Sequence, residues 1–104
     1  MLELLEQIEV AARKASCMGE EFRERGARSV EIMRELERIE GLADRVYMAG
    51  WETVARRLRQ ETENCGCLVT RYTDRAKAAA RLDALMHYAW GLCDAAAAER
   101  EGVA

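Results

Sequence analysis

Apolar residues recur at intervals of three or four along the first quarter of the chain, and glutamates occupy many positions between them. The repeating positions are Leu5, Ile8, Ala12, Ala15, Met18 and Phe22. This spacing predicts an amphipathic helix with one buried face. We expect helix 1 to cover about residues 2–25 and to end at Gly26, with Ser29 as the N-cap of the next helix. One helix that continues through Gly26 is the alternative.

A second helical pattern continues from about residue 29 to residue 63. Its apolar positions are Met33, Leu36, Ile39, Ala43, Val46, Val54 and Leu58. Gly41 and Gly50 both fall inside this stretch, and either is compatible with a kink, a close helix contact or a break. We expect one long helix 2, and a break at Gly41 would turn it into two helices.

Residues 64–67, Asn-Cys-Gly-Cys, interrupt the apolar repeat and contain an asparagine and a glycine, which favour turns. We place a tight turn there and helix 3 at about residues 68–100. The expected buried positions of helix 3 are Tyr72, Ala76, Ala79, Leu82, Met86, Ala89 and Cys93. A second apolar row accompanies them at Leu85, Tyr88, Trp90 and Leu92.

These patterns predict an all-α protein with a single helical domain over residues 1–104, built as an antiparallel bundle of three long helices. At 1.5 Å per residue, helix 2 would be roughly 50 Å long and helix 1 only about 36 Å. Unequal helices leave apolar surface uncovered, so we expect a homodimer to complete the bundle. In the alternative, helix 2 breaks at Gly41 and the chain closes its own four-helix core.

Composition supports long helices and limits the classes of function. The 104 residues include no proline, half are hydrophobic, and the formal net charge is −3. No apolar run is long enough to span a bilayer, and the first ten residues carry three glutamates and no basic residue, unlike a secretion signal. We therefore expect a cytoplasmic protein that binds neither membranes nor, given its small net charge, nucleic acid.

The central and final helices carry more apolar surface than one buried face requires. The surplus residues are Tyr47, Met48, Trp51, Tyr88 and Trp90. Aromatic residues and methionine are enriched where protein interfaces concentrate their binding energy. These five residues are our predicted partner-binding anchors, and burial in the chain's own core is the alternative.

Basic residues concentrate in the middle of the chain, because residues 53–81 hold seven basic and three acidic side chains. The candidate anion-binding residues are Arg56, Arg57, Arg59, Arg71 and Arg75. With a turn at residues 64–67, they would gather at one end of the bundle. A solvated, salt-bridged helix surface is the simpler interpretation.

Four cysteines raise the question of a thiol site. A Cys65-Gly66-Cys67 turn flanked by arginines would favour the thiolate and permit redox or soft-metal chemistry. We expect Cys17 and Cys93, far from that turn, to be small buried apolar residues. A four-cysteine metal site is therefore not expected, and Cys65 with Cys67 is the alternative metal or redox site.

Arg81 and His87 are separated by five residues and followed by Tyr88, a spacing that resembles the HEPN family of helical ribonucleases and toxin partners. That resemblance implies a dimer groove in which the histidine transfers protons and the arginine neutralises phosphate charge. The polar residue that commonly follows the arginine in the family is replaced here by Leu82. An exposed His87 paired with Asp83 one turn earlier is the simpler expectation.

No other catalytic constellation is visible: the chain has one histidine and no glycine-rich phosphate loop. We therefore predict a non-catalytic protein without a cofactor. Its expected role is that of a small adaptor, regulator or inhibitor, of the kind that bacteria and phages encode, acting through contact with another protein.

Overall fold

Four helices make up nearly all of the chain that the computed structural model describes, which is residues 1–71 and 74–102 with the side chain of Glu101 excepted. They are α1 (Leu2–Arg25), α2 (Ser29–Met48), α3 (Glu52–Arg71) and α4 (Arg75–Gly102). The all-α prediction is confirmed, and no strand occurs among these residues. Tyr72, predicted as a buried position, lies outside the described residues.

The junction of α1 and α2 follows the prediction at Gly26 and departs from it at Ser29. Gly26 takes a left-handed backbone (φ 68°) and donates its N–H to the Phe22 carbonyl at 2.8 Å, which ends α1. Arg28, also left-handed at φ 72°, occupies the N-cap position, and Ser29 is the first helical residue. The prediction of Ser29 as N-cap is therefore wrong, because the chain needs a second positive-φ residue to reverse direction.

The predicted helix 2 over residues 29–63 is wrong, because the chain breaks between Met48 and Glu52. Gly50 adopts φ +97° and donates its N–H to the Tyr47 carbonyl at 3.0 Å, and Trp51 donates to the Val46 carbonyl at 3.2 Å. Gly41 does not break the helix and lies exposed within α2. Glycine adopts a positive φ without the steric cost that other residues pay, and Gly50 has a positive φ whereas Gly41 does not.

The predicted turn at residues 64–67 and the helix 3 start at residue 68 are also wrong, because α3 continues through the cysteines to Arg71. Cys65 and Val69 are fully buried and extend the inner face begun by Leu58. One glycine inside a helix costs about 1 kcal/mol relative to alanine, which this burial outweighs. α4 instead begins at Arg75, where the Asp74 carboxylate accepts a hydrogen bond from the Lys77 N–H at 2.9 Å.

The helices form an antiparallel ring in which each packs against its two neighbours in space, α1 with α2, α2 with α3, α3 with α4 and α4 with α1. Fully buried large side chains from all four helices fill the centre, among them Phe22, Leu36, Leu58 and Leu82. The molecule measures 48 × 22 × 17 Å. The core is therefore closed within one chain, and the incomplete three-helix core from which we predicted a dimer does not occur.

Within the described residues, none of the four helices contains an apolar stretch long enough to cross a membrane.

Candidate functional site

Three of the five predicted anchors lie at the end of the bundle where α2 turns into α3. Met48 is the last residue of α2 and 84% of its side chain is exposed, and the neighbouring Tyr47 is 39% exposed. Trp51, in the turn itself, is half-buried and packs against the core. A methyl group added to Gly50 would have no neighbouring atom within 4 Å, so the chain at this position faces open space.

Two neighbouring clefts flank this turn. One, of about 520 Å³, is lined by apolar Met1, Leu2, Trp51 and Ala96 and by the charged residues Glu3, Glu99 and Arg100. The other, of about 440 Å³, is lined by Leu4, Met48 and Ala49 together with Asp44 and Arg45. We call the apolar residues at this end the turn-end cluster, defined as Met1, Leu2, Leu4, Tyr47, Met48 and Trp51.

The other two predicted anchors, both on α4, are not part of this cluster. Tyr88 is half-buried, and the Arg57 guanidinium carbon lies 4.3 Å from the centroid of its ring. Burial raises the pKa of Tyr88, and the positive charge of Arg57 opposes that rise. Trp90 is 57% exposed and lies six residues before Ala96, on a different side of the helix. Tyr88 is thus occupied by an internal contact, and Trp90 is a separate exposed aromatic residue.

The five arginines predicted to form an anion site do not form one patch. Arg57 and Arg71 are fourteen residues apart on the same helix, which corresponds to about 21 Å. Arg59 binds Asp44 of α2, and Arg56 lies 3.8 Å from Glu52. Arg75 begins α4 next to the end of α3 that carries Arg71. The expected clustering depended on a turn at residues 64–67, and α3 is continuous there.

The helical geometry of α3 also separates the two cysteines of the predicted thiol turn. Cys65 is fully buried, whereas Cys67 is exposed, because residues two apart on a helix point about 200° away from each other. Burial, with a smaller contribution from Glu61, raises the pKa of Cys65 to about 12, although Arg81 acts in the opposite direction. This thiol is therefore neutral and shielded, the opposite of the reactive thiolate that the sequence suggested.

The remaining cysteines give no alternative thiol site. Cys17 is exposed, so its predicted burial is wrong, and Cys93 is half-buried. Burial raises the pKa of Cys93, and the nearby carboxylates of Glu9 and Glu6 add to the increase. Among the described residues, no group of three or more histidine, cysteine, aspartate or glutamate side chains is placed to hold a metal ion.

Arg81 and His87 point in different directions from α4, as expected for residues six positions apart. His87 Nε2 lies 3.4 Å from the Asp83 carboxylate, so the simpler expectation of an exposed pair is confirmed. The Arg81 guanidinium lies 3.9 Å from Glu61 of α3. Within one chain, the two residues do not form the joint site that the HEPN resemblance implies.

Sequence reasoning missed a cationic groove between α1 and α2. Its volume is about 550 Å³, and it is lined by five basic residues, Arg13, Lys14, Arg28, Arg34 and Arg38. Two carboxylates, Glu31 and Glu35, also border it. Local composition gives no sign of this groove, because residues 1–52 hold twelve acidic and only eight basic side chains. The cations come together only when the two helices pack.

Comparisons of the chain with protein-family models, with curated proteins and with solved structures each found no match.

Proposed function

We propose that the protein is a non-catalytic interaction module that binds a partner protein through the turn-end cluster. The observation that carries this proposal is the exposure of Met48, 84%, next to two clefts with apolar residues in their walls. Full burial of an apolar side chain of this size is favourable by about 1.5–3 kcal/mol, and a partner that covers Met48 would provide that burial.

The chemistry around the clefts suits a protein partner. Methionine and aromatic side chains adapt to irregular apolar surfaces and concentrate binding energy. Charged residues of both signs border the clefts, with Glu3 and Arg100 at the first and Asp44 and Arg45 at the second. An apolar centre with a polar rim is the usual anatomy of a protein interface. The expected occupant is an amphipathic helix that inserts apolar side chains into the two clefts.

A second copy of the chain is one form of this partner. Because the core is closed within one chain, a homodimer would have to use exposed surface, and the turn-end cluster offers apolar residues for it. The proposal includes a cytoplasmic location, where free thiols such as these four cysteines stay reduced.

The test uses a photo-crosslinking residue at position 48 and, as the matched control, at position 30. Val30 is 64% exposed near the opposite end of the same helix, so it reports on any exposed apolar site of α2. We expect a discrete adduct from position 48 and none from position 30 in cells that express the protein. Mass spectrometry then distinguishes a foreign partner from a second copy.

Purified components complete the experiment. Binding of the crosslinked partner should weaken at least about tenfold in Met48→Glu and stay unchanged in Val30→Glu. Circular dichroism should show native helix content and thermal stability in both variants, because both positions are exposed. The proposal fails if position 48 gives no discrete adduct, or if the two variants affect binding equally.

A further inference from the structure

The groove between α1 and α2 carries an excess of positive charge on a chain that is negative overall. Five basic side chains and two carboxylates line it, while the whole chain has a formal charge of −3. The groove lies in the half of the bundle away from the turn-end cluster. Its residues on α2 precede residue 40 and those on α1 follow residue 12, whereas the cluster takes residues 47–51 from the other end of α2 and residues 1–4 from the start of α1. It is therefore a surface independent of the proposed protein interface.

Two of the five cations are engaged by carboxylates of the chain. The Arg13 guanidinium donates two hydrogen bonds to Glu9 one turn earlier. Arg28 lies 2.9 Å from Glu31 and 3.9 Å from Glu21. These pairs reduce the charge available to a ligand.

The other three cations, Lys14, Arg34 and Arg38, form no ion pair within the described part of the chain. Arg34 and Arg38 are one helical turn apart on α2 and therefore extend side by side, and Lys14 approaches from α1. Glu35, on the same helix, is 9% exposed and also borders the groove, so its carboxylate offsets part of the charge of these three cations.

We propose that this groove binds an anion with several phosphoryl groups in a row, held by Lys14, Arg34 and Arg38. Guanidinium groups match phosphate oxygens with two parallel hydrogen bonds, and a lysine ammonium adds a mobile positive charge. Cations distributed along a groove suit a chain of phosphates better than one isolated phosphate. The volume, about 550 Å³, falls within the range of small-molecule sites.

The test titrates the purified chain with tripolyphosphate and, in a separate arm, with ATP, using calorimetry at low and at physiological salt. We expect binding that weakens as salt rises, because the contacts are charge pairs at an open surface. The Arg34→Gln, Arg38→Gln double variant should weaken binding at least about tenfold. The matched control, Arg56→Gln with Arg71→Gln, removes the same charge from the exposed side of α3 and should bind like the wild type.

The two arms identify the source of the phosphates. Equal affinity for both ligands points to a free polyphosphate, and tighter binding of ATP points to a nucleotide. The inference is overturned if tripolyphosphate fails to bind at millimolar concentration, whether or not ATP binds. It is also overturned if the control variant on α3 weakens binding as much as the Arg34→Gln, Arg38→Gln variant. Because Met48→Glu leaves the groove intact, loss of the partner in that variant with retained tripolyphosphate binding separates this inference from the proposed function.

Discussion

α4 packs against its two neighbours in different ways. Its contact with α1 is the most extensive helix pairing in the bundle and its contact with α3 the least. Against α1, the residues are small: a methyl group on Gly19 would lie 3.7 Å from the Cα of Ala79 and 3.4 Å from Leu82. Against α3, long side chains meet, with Arg57 over the ring of Tyr88. The α1–α4 interface therefore depends on close approach of the two helices, and the α3–α4 interface includes a contact between long side chains.

This difference predicts where the free energy of unfolding resides. A tightly packed interface of small residues relaxes little, so a lost side chain leaves a cavity and a large added one must displace its neighbours. A bridge of half-exposed side chains is partly solvated, so its removal costs little. Substitutions at the two interfaces measure the difference, from the largest effect to the smallest.

Leu82→Ala should give the largest loss. Leu82 is fully buried at the α1–α4 interface and contacts the position of Gly19, so its removal should cost about 3 kcal/mol through lost burial and a residual cavity. Urea unfolding followed by circular dichroism measures this cost. Leu92→Ala, at a half-buried position of the same helix, should cost roughly 1 kcal/mol. Equal costs would mean that the fully buried Leu82 contributes no more packing than the half-buried Leu92.

Glycine substitutions test close approach directly. Gly19→Leu should destabilise the fold by about 2 kcal/mol, because the new side chain meets Ala79 and Leu82. Gly41 is also inside a helix but has nothing within 4 Å of a methyl group, so Gly41→Leu should stabilise by roughly 0.5–1 kcal/mol through helix propensity. Thermal and urea unfolding of the two variants shows whether each substitution raises or lowers the free energy of unfolding. A stabilising Gly19→Leu would contradict the close approach.

Those two glycines also show how far the sequence predicts the fold. Apolar spacing correctly indicated the buried faces of α1 and α2, because charged residues cover their opposite sides. It did not separate Gly41 from Gly50, since only the folded backbone shows which of them needs a positive φ. For α4, the predicted burial of Ala76 is wrong and Leu85 is buried instead. Alanines of α4 lie on all sides of the helix, so its buried and exposed faces differ little in hydrophobicity.

Prediction of the sites depended on the same helix boundaries. Met48, one of the predicted anchors, is exposed at the end of α2, whereas the sequence placed it inside a longer helix. The cysteine turn and the arginine patch were both inferred from a break at residues 64–67 that is absent. The α1–α2 groove was missed because charge was counted along the chain, whereas its cations come from two helices.

Cys65 tests how well water is excluded from the inner face of α3. Its folded pKa of about 12 lies above the ordinary 9.0, so the unfolded chain loses the thiol proton first as pH rises. The stabilisation is complete below pH 9.0 and is lost towards pH 12, at up to about 1.4 kcal/mol per pH unit. The unfolding free energy of wild type should exceed that of Cys65→Ala by a constant amount below pH 9.0, and this difference should shrink as the pH rises towards 12. Parallel curves would show that the thiol is hydrated.

The smallest expected effect is that of the Arg57–Tyr88 bridge between α3 and α4. A cation–π contact at a partly exposed site contributes about 0.5–1 kcal/mol. A double-mutant cycle with Arg57→Leu and Tyr88→Leu measures this coupling by urea unfolding. Arg56→Leu, one residue away and paired with Glu52, should show no coupling to Tyr88.

The ionisation of Tyr88 provides a second measure of the same bridge. Arg57 lowers the pKa of the phenol against the larger effect of burial, so Arg57→Leu should raise that pKa further, as followed by the ultraviolet absorbance of the phenolate. Arg56→Leu should leave it unchanged. A coupling above about 2 kcal/mol would place this bridge in the desolvated class of cation–π contacts. The α3–α4 interface would then be as important to the bundle as the small-residue packing of α1 on α4, and the contrast between the two would disappear.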